Sequence, residues 1–427
     1  MDSITKKAPV LAKISKFIAT ASDFDEATLH QSKRVVADTY GVAFSGVQTS
    51  AFEMALQSCL QLFGDDKYKI WGTKKTSTIL GAVFYNALSV SSTDFDEGHR
   101  KAVGHPGSLV VPVALVLGKY LNKAAEEILK AVVVGYETGT RFSHARIKEN
   151  ITTYSSGRWG AIASAATAAY LLDLSIEETM YALSLASVLS PAMLGGSTDV
   201  STGSMAKEGV AWAAQSGLQS ALLAQNGFVG PYLFVDEHDD FDRNNLLSGI
   251  GKTWLINSNY FKPYACCRWL HAGIKAAIDL KVEKGFNPLD IEQIEINIFS
   301  RALDLISSKY PENAIQAQFH LPYTVACALL FDQIIPKYFS DIYLKNENIH
   351  SLIGKIKLVA DKQYTKQFPE KIPTRVKISM KDNSSFSKEV LVAPWEASSP
   401  PSDEALKQKL ILQSGEKGIA FWDFLIE

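Results

Sequence analysis

The apolar residues of this chain change their period once, and that change limits the folds open to it. Up to about residue 260 they recur every three to four positions: Val10, Leu11, Ile14, Phe17 and Ile18, then Leu29, Val35, Val36, Tyr40 and Val42 within 26–43. Such spacing lays one apolar stripe along a helix. Further helices are predicted over 51–63, 107–120, 125–142, 161–172, 176–189 and 209–225, several of them rich in alanine. Small side chains let helices approach closely, so this part reads as a compact bundle or double layer. Near residue 290 the period drops to two, at Ile294, Ile296 and Ile298, and short strands are predicted at 355–359, 375–380 and 388–392. Helices over 272–282 and 319–330 accompany them. After the turn-forming Ser398-Ser399-Pro400-Pro401, residues 403–413 read as a final helix that returns to the first bundle. The expected fold is a large all-helical domain, 1–260 plus 396–427, with an inserted smaller α+β domain, 261–395.

Composition narrows the function. Lysine and arginine number 43 against 45 acidic residues, and no long basic run occurs, which argues against a nucleic-acid or membrane-surface role. Cys59, Cys266, Cys267 and Cys327 are too few for a disulfide framework and lack metal-site spacing, so no metal is expected. The helical half carries neither a P-loop nor a dinucleotide glycine fingerprint, so no nucleotide cofactor is expected. The first sixteen residues show no apolar leader segment, and no apolar run nears the roughly 20 residues that span a bilayer. The reduced cytoplasm is the expected compartment.

The densest chemistry lies in 94–108, Asp-Phe-Asp-Glu-Gly-His-Arg-Lys-Ala-Val-Gly-His-Pro-Gly-Ser, between long apolar segments. Pro106 sits in the first turn of a predicted helix, where its missing N–H costs little. Histidines and carboxylates beside the positive end of a helix suit proton transfer on an acidic substrate. The competing reading is a solvated loop whose His105 only caps the helix. The small-residue loop 195–204, followed by Lys207, is either a connector or an anion-holding turn. Lys262, between Phe261 and Pro263-Tyr264, is placed to meet an anion. Arg158 and Arg268 are either bidentate carboxylate binders or structural ion pairs. His99 and Arg100, near Asp94, are either substrate contacts or a solvated face. Cys266 and Cys267 have no base at nucleophile spacing, so covalent catalysis through them is not expected.

Taken in order, several motifs resemble the MmgE/PrpD family, which includes 2-methylcitrate dehydratases, cis-aconitate decarboxylases and iminodisuccinate epimerases. They are Asp94-Phe95-Asp96-Glu97 with His105-Pro106-Gly107-Ser108, Val134-Gly135-Tyr136-Glu137, Gly157-Arg158-Trp159-Gly160-Ala161, Ala213-Ala214-Gln215-Ser216-Gly217, Gly227-Phe228-Val229-Gly230-Pro231, Lys262-Pro263-Tyr264 through His271, and Gln318-Phe319-His320-Leu321-Pro322-Tyr323. The resemblance spans nearly the whole chain. It implies a helical domain closed by a C-terminal helix, an inserted α+β domain, a homodimer, and a cofactor-free site between the domains. By resemblance, Asp94, His105, Lys207, Lys262 and Tyr323 fall on family active-site positions. His99, Arg100, Arg158, Cys267 and Arg268 stand beside them as candidate contacts for a di- or tricarboxylate. The chain departs from the decarboxylases at Gly98-His99-Arg100, at Ile151 and at Cys266-Cys267, the last two where those enzymes carry histidines. The reaction the resemblance puts first is therefore dehydration of a citrate-like hydroxy acid. Epimerisation of an iminodisuccinate-like acid, cis-aconitate decarboxylation and a carboxylate-binding protein without catalysis are the alternatives.

Overall fold

A computed structural model describes residues 4–151, 153, 155–191 and 200–426. The helical part opens with Pro9–Thr20, the long Glu26–Gly46, Ser50–Phe63 and Ile79–Ser91. Side-chain caps set three of these starts: Asp25 accepts the Thr28 N–H, Thr49 that of Phe52, and Thr78 that of Gly81. Each satisfies a donor that the first turn leaves open. A short hairpin, Tyr68–Lys69 with Thr76–Ser77, interrupts the helices. Its two-residue strands leave no alternation for a sequence to display.

Pro106–Tyr120, Ala125–His144, Gly157–Leu171, Ile176–Leu189 and Val210–Gln225 pack around one another. Ala161, Ala163, Ala165, Ala166 and Ala168 are fully buried, which lets Gly157–Leu171 sit between two long neighbours, Ala125–His144 and Val210–Gln225. Of the small-residue loop singled out in the sequence, 195–199 lies outside the described residues; Val200–Thr202 form a single helical turn.

Beyond residue 260 the chain builds a four-stranded sheet. Ile291–Ile298 pairs in parallel with Ile356–Ala360 on one side and antiparallel with Thr374–Met380 on the other; Ser385–Val390 closes the edge. The register sets Ile294 opposite Ile356 and Ile378, and Ile296 opposite Leu358 and Val376. The alternating isoleucines therefore share one apolar face. The helix His271–Lys284 packs on the last two strands and against Leu321–Phe331. The edge strand begins at Ser385 rather than 388, because its polar start, Ser-Phe-Ser, hides its alternation.

Asp403–Ser414 lies along Glu26–Gly46. Lys409 projects from it into the interior, where its ammonium meets Asp38 at 2.6 Å and the Phe95 carbonyl at 2.7 Å. It is not the last helix. Glu416–Ile426 follows, burying Trp422 and Leu425 and stacking Phe421 on Tyr40. No helix among the described residues is long and apolar enough to cross a membrane.

Candidate active site

Residues 92–105 form a loop, buried for most of its length, between Ile79–Ser91 and Pro106–Tyr120. It is tied twice. The His99 N–H donates to the Gly104 carbonyl at 2.9 Å, and Gly98 and Tyr260 exchange backbone hydrogen bonds of 3.0 and 2.8 Å. A Cβ at residue 98 would lie 2.2 Å from the Tyr260 hydroxyl, so the close approach needs glycine. This second tie carries Lys262 to Asp94 across 168 positions of sequence.

Asp94 sits at φ +50°, in the left-handed region that Asp tolerates better than most residues. Lys262 Nζ donates to its carbonyl at 2.9 Å and to Oδ2 at 3.1 Å; Lys207 Nζ stands 3.5 Å from Oδ1. Burial alone would raise the Asp94 carboxyl. The charges of Lys262, Lys207 and His105 outweigh it and hold the group well below the usual carboxylate range. The same pairing overcomes burial at Lys262 and raises its ammonium. Lys207 also donates to Gln318 Oε1 at 3.0 Å and lies 5.1 Å above the Phe319 ring. Two of the three Lys262 N–H groups are thus occupied.

His105 is the residue just before Pro106–Tyr120, yet its ring does not cap that helix. Nδ1 lies 2.8 Å from the Glu97 carbonyl and 3.4 Å from Asp96 Oδ2. A carbonyl only accepts, so Nδ1 carries the proton and Nε2 is left to exchange one. Burial would lower this imidazole, but Asp96, Glu208 and Asp94 outweigh burial and Lys262, and its pKa is raised. Beneath the ring, the Glu97 carboxyl accepts the Gly107 N–H at 2.7 Å, the Tyr136 hydroxyl at 2.7 Å and Asn259 Nδ2 at 3.0 Å. Burial pushes it up to about 7 against those three donors. One ligand atom each from Asp94, Asp96 and His105 could meet within 4.8 Å, the spacing of a metal centre. Asp94 already faces an ammonium through each oxygen, so the group is occupied as an ion-pair cluster and does not suit a second cation.

Asp94, His105, Lys207 and Lys262 are therefore brought together. Tyr323 stands apart: it is fully buried in the first turn of Leu321–Phe331, and its hydroxyl donates to the Tyr338 carbonyl. None of its hydrogen bonds reaches the cluster. His99 is buried as well; Nδ1 accepts the N–H groups of Lys101 and Ala102 at 3.1 and 3.4 Å, and burial pushes the ring down to about 3. It shapes the loop as a neutral ring. Arg100 points outward to the Pro369 carbonyl at 2.8 Å. Arg268 pairs with Glu396 and covers the Tyr260 ring at 5.0 Å, the ion-pair alternative raised for it. Arg158 is exposed on the first turn of Gly157–Leu171 and lines a separate cavity of about 330 Å³ with Arg146, Ile151 and His238. Cys267 accompanies the cluster: its N–H donates to the Gln318 carbonyl at 2.9 Å, and burial pushes its thiol up to about 12.

Asp96 and Glu97 count among the carboxylates of the 94–108 cluster without a role of their own, and Gln318 lies in a motif that gives it none; Asn259, Ser156 and Glu208 carry no local signal.

A carboxylate held between two buried ammonium groups, beside an imidazole with one nitrogen free to exchange a proton, is an arrangement that can hold an anion and move a proton. Residues 12–246 match the model of the MmgE/PrpD N-terminal domain and 264–414 that of the C-terminal domain. The chain belongs to the MmgE/PrpD family. It is 25% identical to human cis-aconitate decarboxylase over 97% of this chain and 90% of that protein. The mouse cis-aconitate decarboxylase is 25% identical over 89% and 81%, and one from Aspergillus terreus 20% over 86% and 81%.

Proposed function

We propose that this protein is a lyase that moves one proton at a carbon beside the carboxylates of a small tricarboxylic acid. The observation that carries this reading is the pairing of His105, with Nδ1 fixed on the Glu97 carbonyl, and the ammonium groups of Lys262 and Lys207 across Asp94. The lysines neutralise substrate carboxylates where charge accumulates, and Nε2 of His105 carries the proton. Every group this chemistry needs is a side chain of the chain itself. Decarboxylation of a cis-aconitate-like acid comes first. Loss of CO₂ leaves an electron pair delocalised toward a neighbouring carboxylate; the ammoniums stabilise it, and His105 Nε2–H protonates the carbon. One proton carrier facing a cationic wall suffices for that. Epimerisation would need a second base opposite the first, whereas Lys207 and Lys262 both engage Asp94. Dehydration of a citrate-like acid is the second reading, favoured by Ile151 and Cys266-Cys267, which depart from the decarboxylase pattern that the resemblance implies.

The same proposal takes 1–260 plus 396–427 as one domain and 261–395 as the other, supported by the packing of Asp403–Ser414 on Glu26–Gly46. It includes a cytoplasmic homodimer, supported by exposed Val188, Leu189, Phe228 and Val229. Light scattering at twice 46.8 kDa is the expected result. The deciding experiment is incubation with cis-aconitate, citrate, 2-methylcitrate and iminodisuccinate in D₂O, followed by NMR. CO₂ loss with one deuterium gained supports the first reading and alkene formation from a hydroxy acid the second. Deuterium exchange with inversion and no cleavage would end both.

A further inference from the structure

The turn that carries Lys207 also reaches the His105 side of the site, through Glu208. Its Oε2 accepts the Ser156 N–H at 2.7 Å, and its main-chain carbonyl accepts the Gly157 N–H at 2.8 Å and the Ser155 hydroxyl at 2.5 Å. Ser156 in turn accepts the His105 N–H on Oγ at 3.2 Å. Contact therefore runs without a break from Lys207 through Glu208 and Ser156 to His105. The approach is tight: a Cβ at residue 157 would lie 2.3 Å from the Glu208 carbonyl oxygen. Lys207 is held at φ +42°, a left-handed backbone that costs a non-glycine residue on the order of 1 kcal/mol unless its surroundings enforce it. The contacts of Glu208 on one side and of the Lys207 ammonium on the other enforce it.

A carboxylate here is costly for anion binding, since it repels the polycarboxylate the site is built to hold. Its negative charge does suit the positive end of Gly157–Leu171 and a protonated imidazole nearby. We propose that Glu208 is a positioning residue: it ties the Lys207 turn to Ser156 and, through the Ser156 hydroxyl, fixes the backbone of His105. The ionisable groups acting on the ring are Asp96, Lys262, Glu208, Asp94 and Glu97, so Glu208 is one of four acids opposing one ammonium and burial. Its consequence for turnover rests on His105 as the proton carrier of the lyase; the positional role itself does not.

Glu208→Gln keeps the shape and one acceptor for the Ser156 N–H while removing the charge. Circular dichroism and thermal unfolding establish that it folds. The His105 ring is then titrated by NMR on histidine-labelled protein, its signal assigned with His105→Asn. The expected result is a fall in the His105 midpoint of about half a pH unit or more, the scale of one nearby charge. The acid-to-neutral limb of the kcat–pH profile shifts by the same amount, with KM within about twofold. Glu208→Ala, which loses acceptor and charge, lowers kcat by roughly tenfold, and Gln restores part of it. A His105 backbone amide signal unmoved in Glu208→Ala, with kcat within about twofold of the parent, overturns the proposal, because the link through Ser156 would then hold nothing in place. If the parent turns over no polycarboxylate, the lyase reading has failed, and the His105 amide signal still decides the role of Glu208.

Discussion

Asp94→Asn isolates the charge that two buried ammoniums share. Lys262 is 1% exposed, with its Nζ 3.1 Å from Oδ2, and Lys207 Nζ is 3.5 Å from Oδ1. At an effective dielectric near 20, each contact is roughly 5 kcal/mol of attraction before desolvation is counted. Removing one partner of a buried pair costs about 3–5 kcal/mol net, because the remaining charge stays out of water. Asparagine keeps the side-chain volume and the Asp94 main-chain carbonyl still receives Lys262, so the lower half of that range, about 3 kcal/mol, is the expected loss. The pH dependence separates this from a packing defect. The native Asp94 carboxyl is depressed, so its stabilisation is present above the unfolded carboxylate pKa and lost as pH falls toward the depressed native value. Urea unfolding of parent and variant should show a constant gap from pH 8 to about 5 that narrows below about 4, where the unfolded carboxyl takes up a proton that the native Asp94 does not. A gap under about 1 kcal/mol at pH 7.5, or one unchanged at pH 3.5, would refute the reasoning.

His105→Asn retains the fold, because its amide can donate to the Glu97 carbonyl as Nδ1 does, and turnover in the NMR assay falls at least about 100-fold. Glu97 behaves oppositely to Asp94. Its native pKa is raised from 4.5 to about 7, so its stabilisation is complete below about 4.5 and lost as pH rises to about 7. Glu97→Gln should flatten the stability–pH curve between pH 5 and 7, and an unchanged slope there counts against the assignment. Lys409→Ala leaves Asp38 buried without its cation and should cost about 3–5 kcal/mol in urea unfolding. A loss below about 1 kcal/mol would show that Asp38 takes up a proton instead.

Much of the helical layer is legible because its rules are local. Asp25, Thr49 and Ser175 cap helices that apolar periodicity had already outlined, and Ser175 forms a capping box with Glu178. The isoleucine alternation at 294–298 likewise marks the central strand. The final helix escaped because Gly415 and a mixed apolar run, Ile419, Phe421, Trp422 and Leu425, resemble a tail rather than a capped element. Of the residues that the resemblance puts in the site, Asp94, His105, Lys207 and Lys262 lie together and Tyr323 does not. Its pattern in an apolar helix pointed to the core, which is where its hydroxyl is bonded. Glu208 and Ser156 could not be read at all. Their meeting depends on how the turns before two helices, Gly157–Leu171 and Val210–Gln225, come together, and the two residues are 52 positions apart.

The reach of Lys409 sets an order of events during synthesis. Its ammonium neutralises Asp38 and braces the Phe95 carbonyl, next to Asp94 and Asp96, from 371 and 314 positions downstream. A nascent chain that has made Asp94, His105, Lys207 and Lys262, but not yet residue 409, holds a buried acid with no counter-charge close to that cluster. Maturation of the enzyme therefore waits on its last helices.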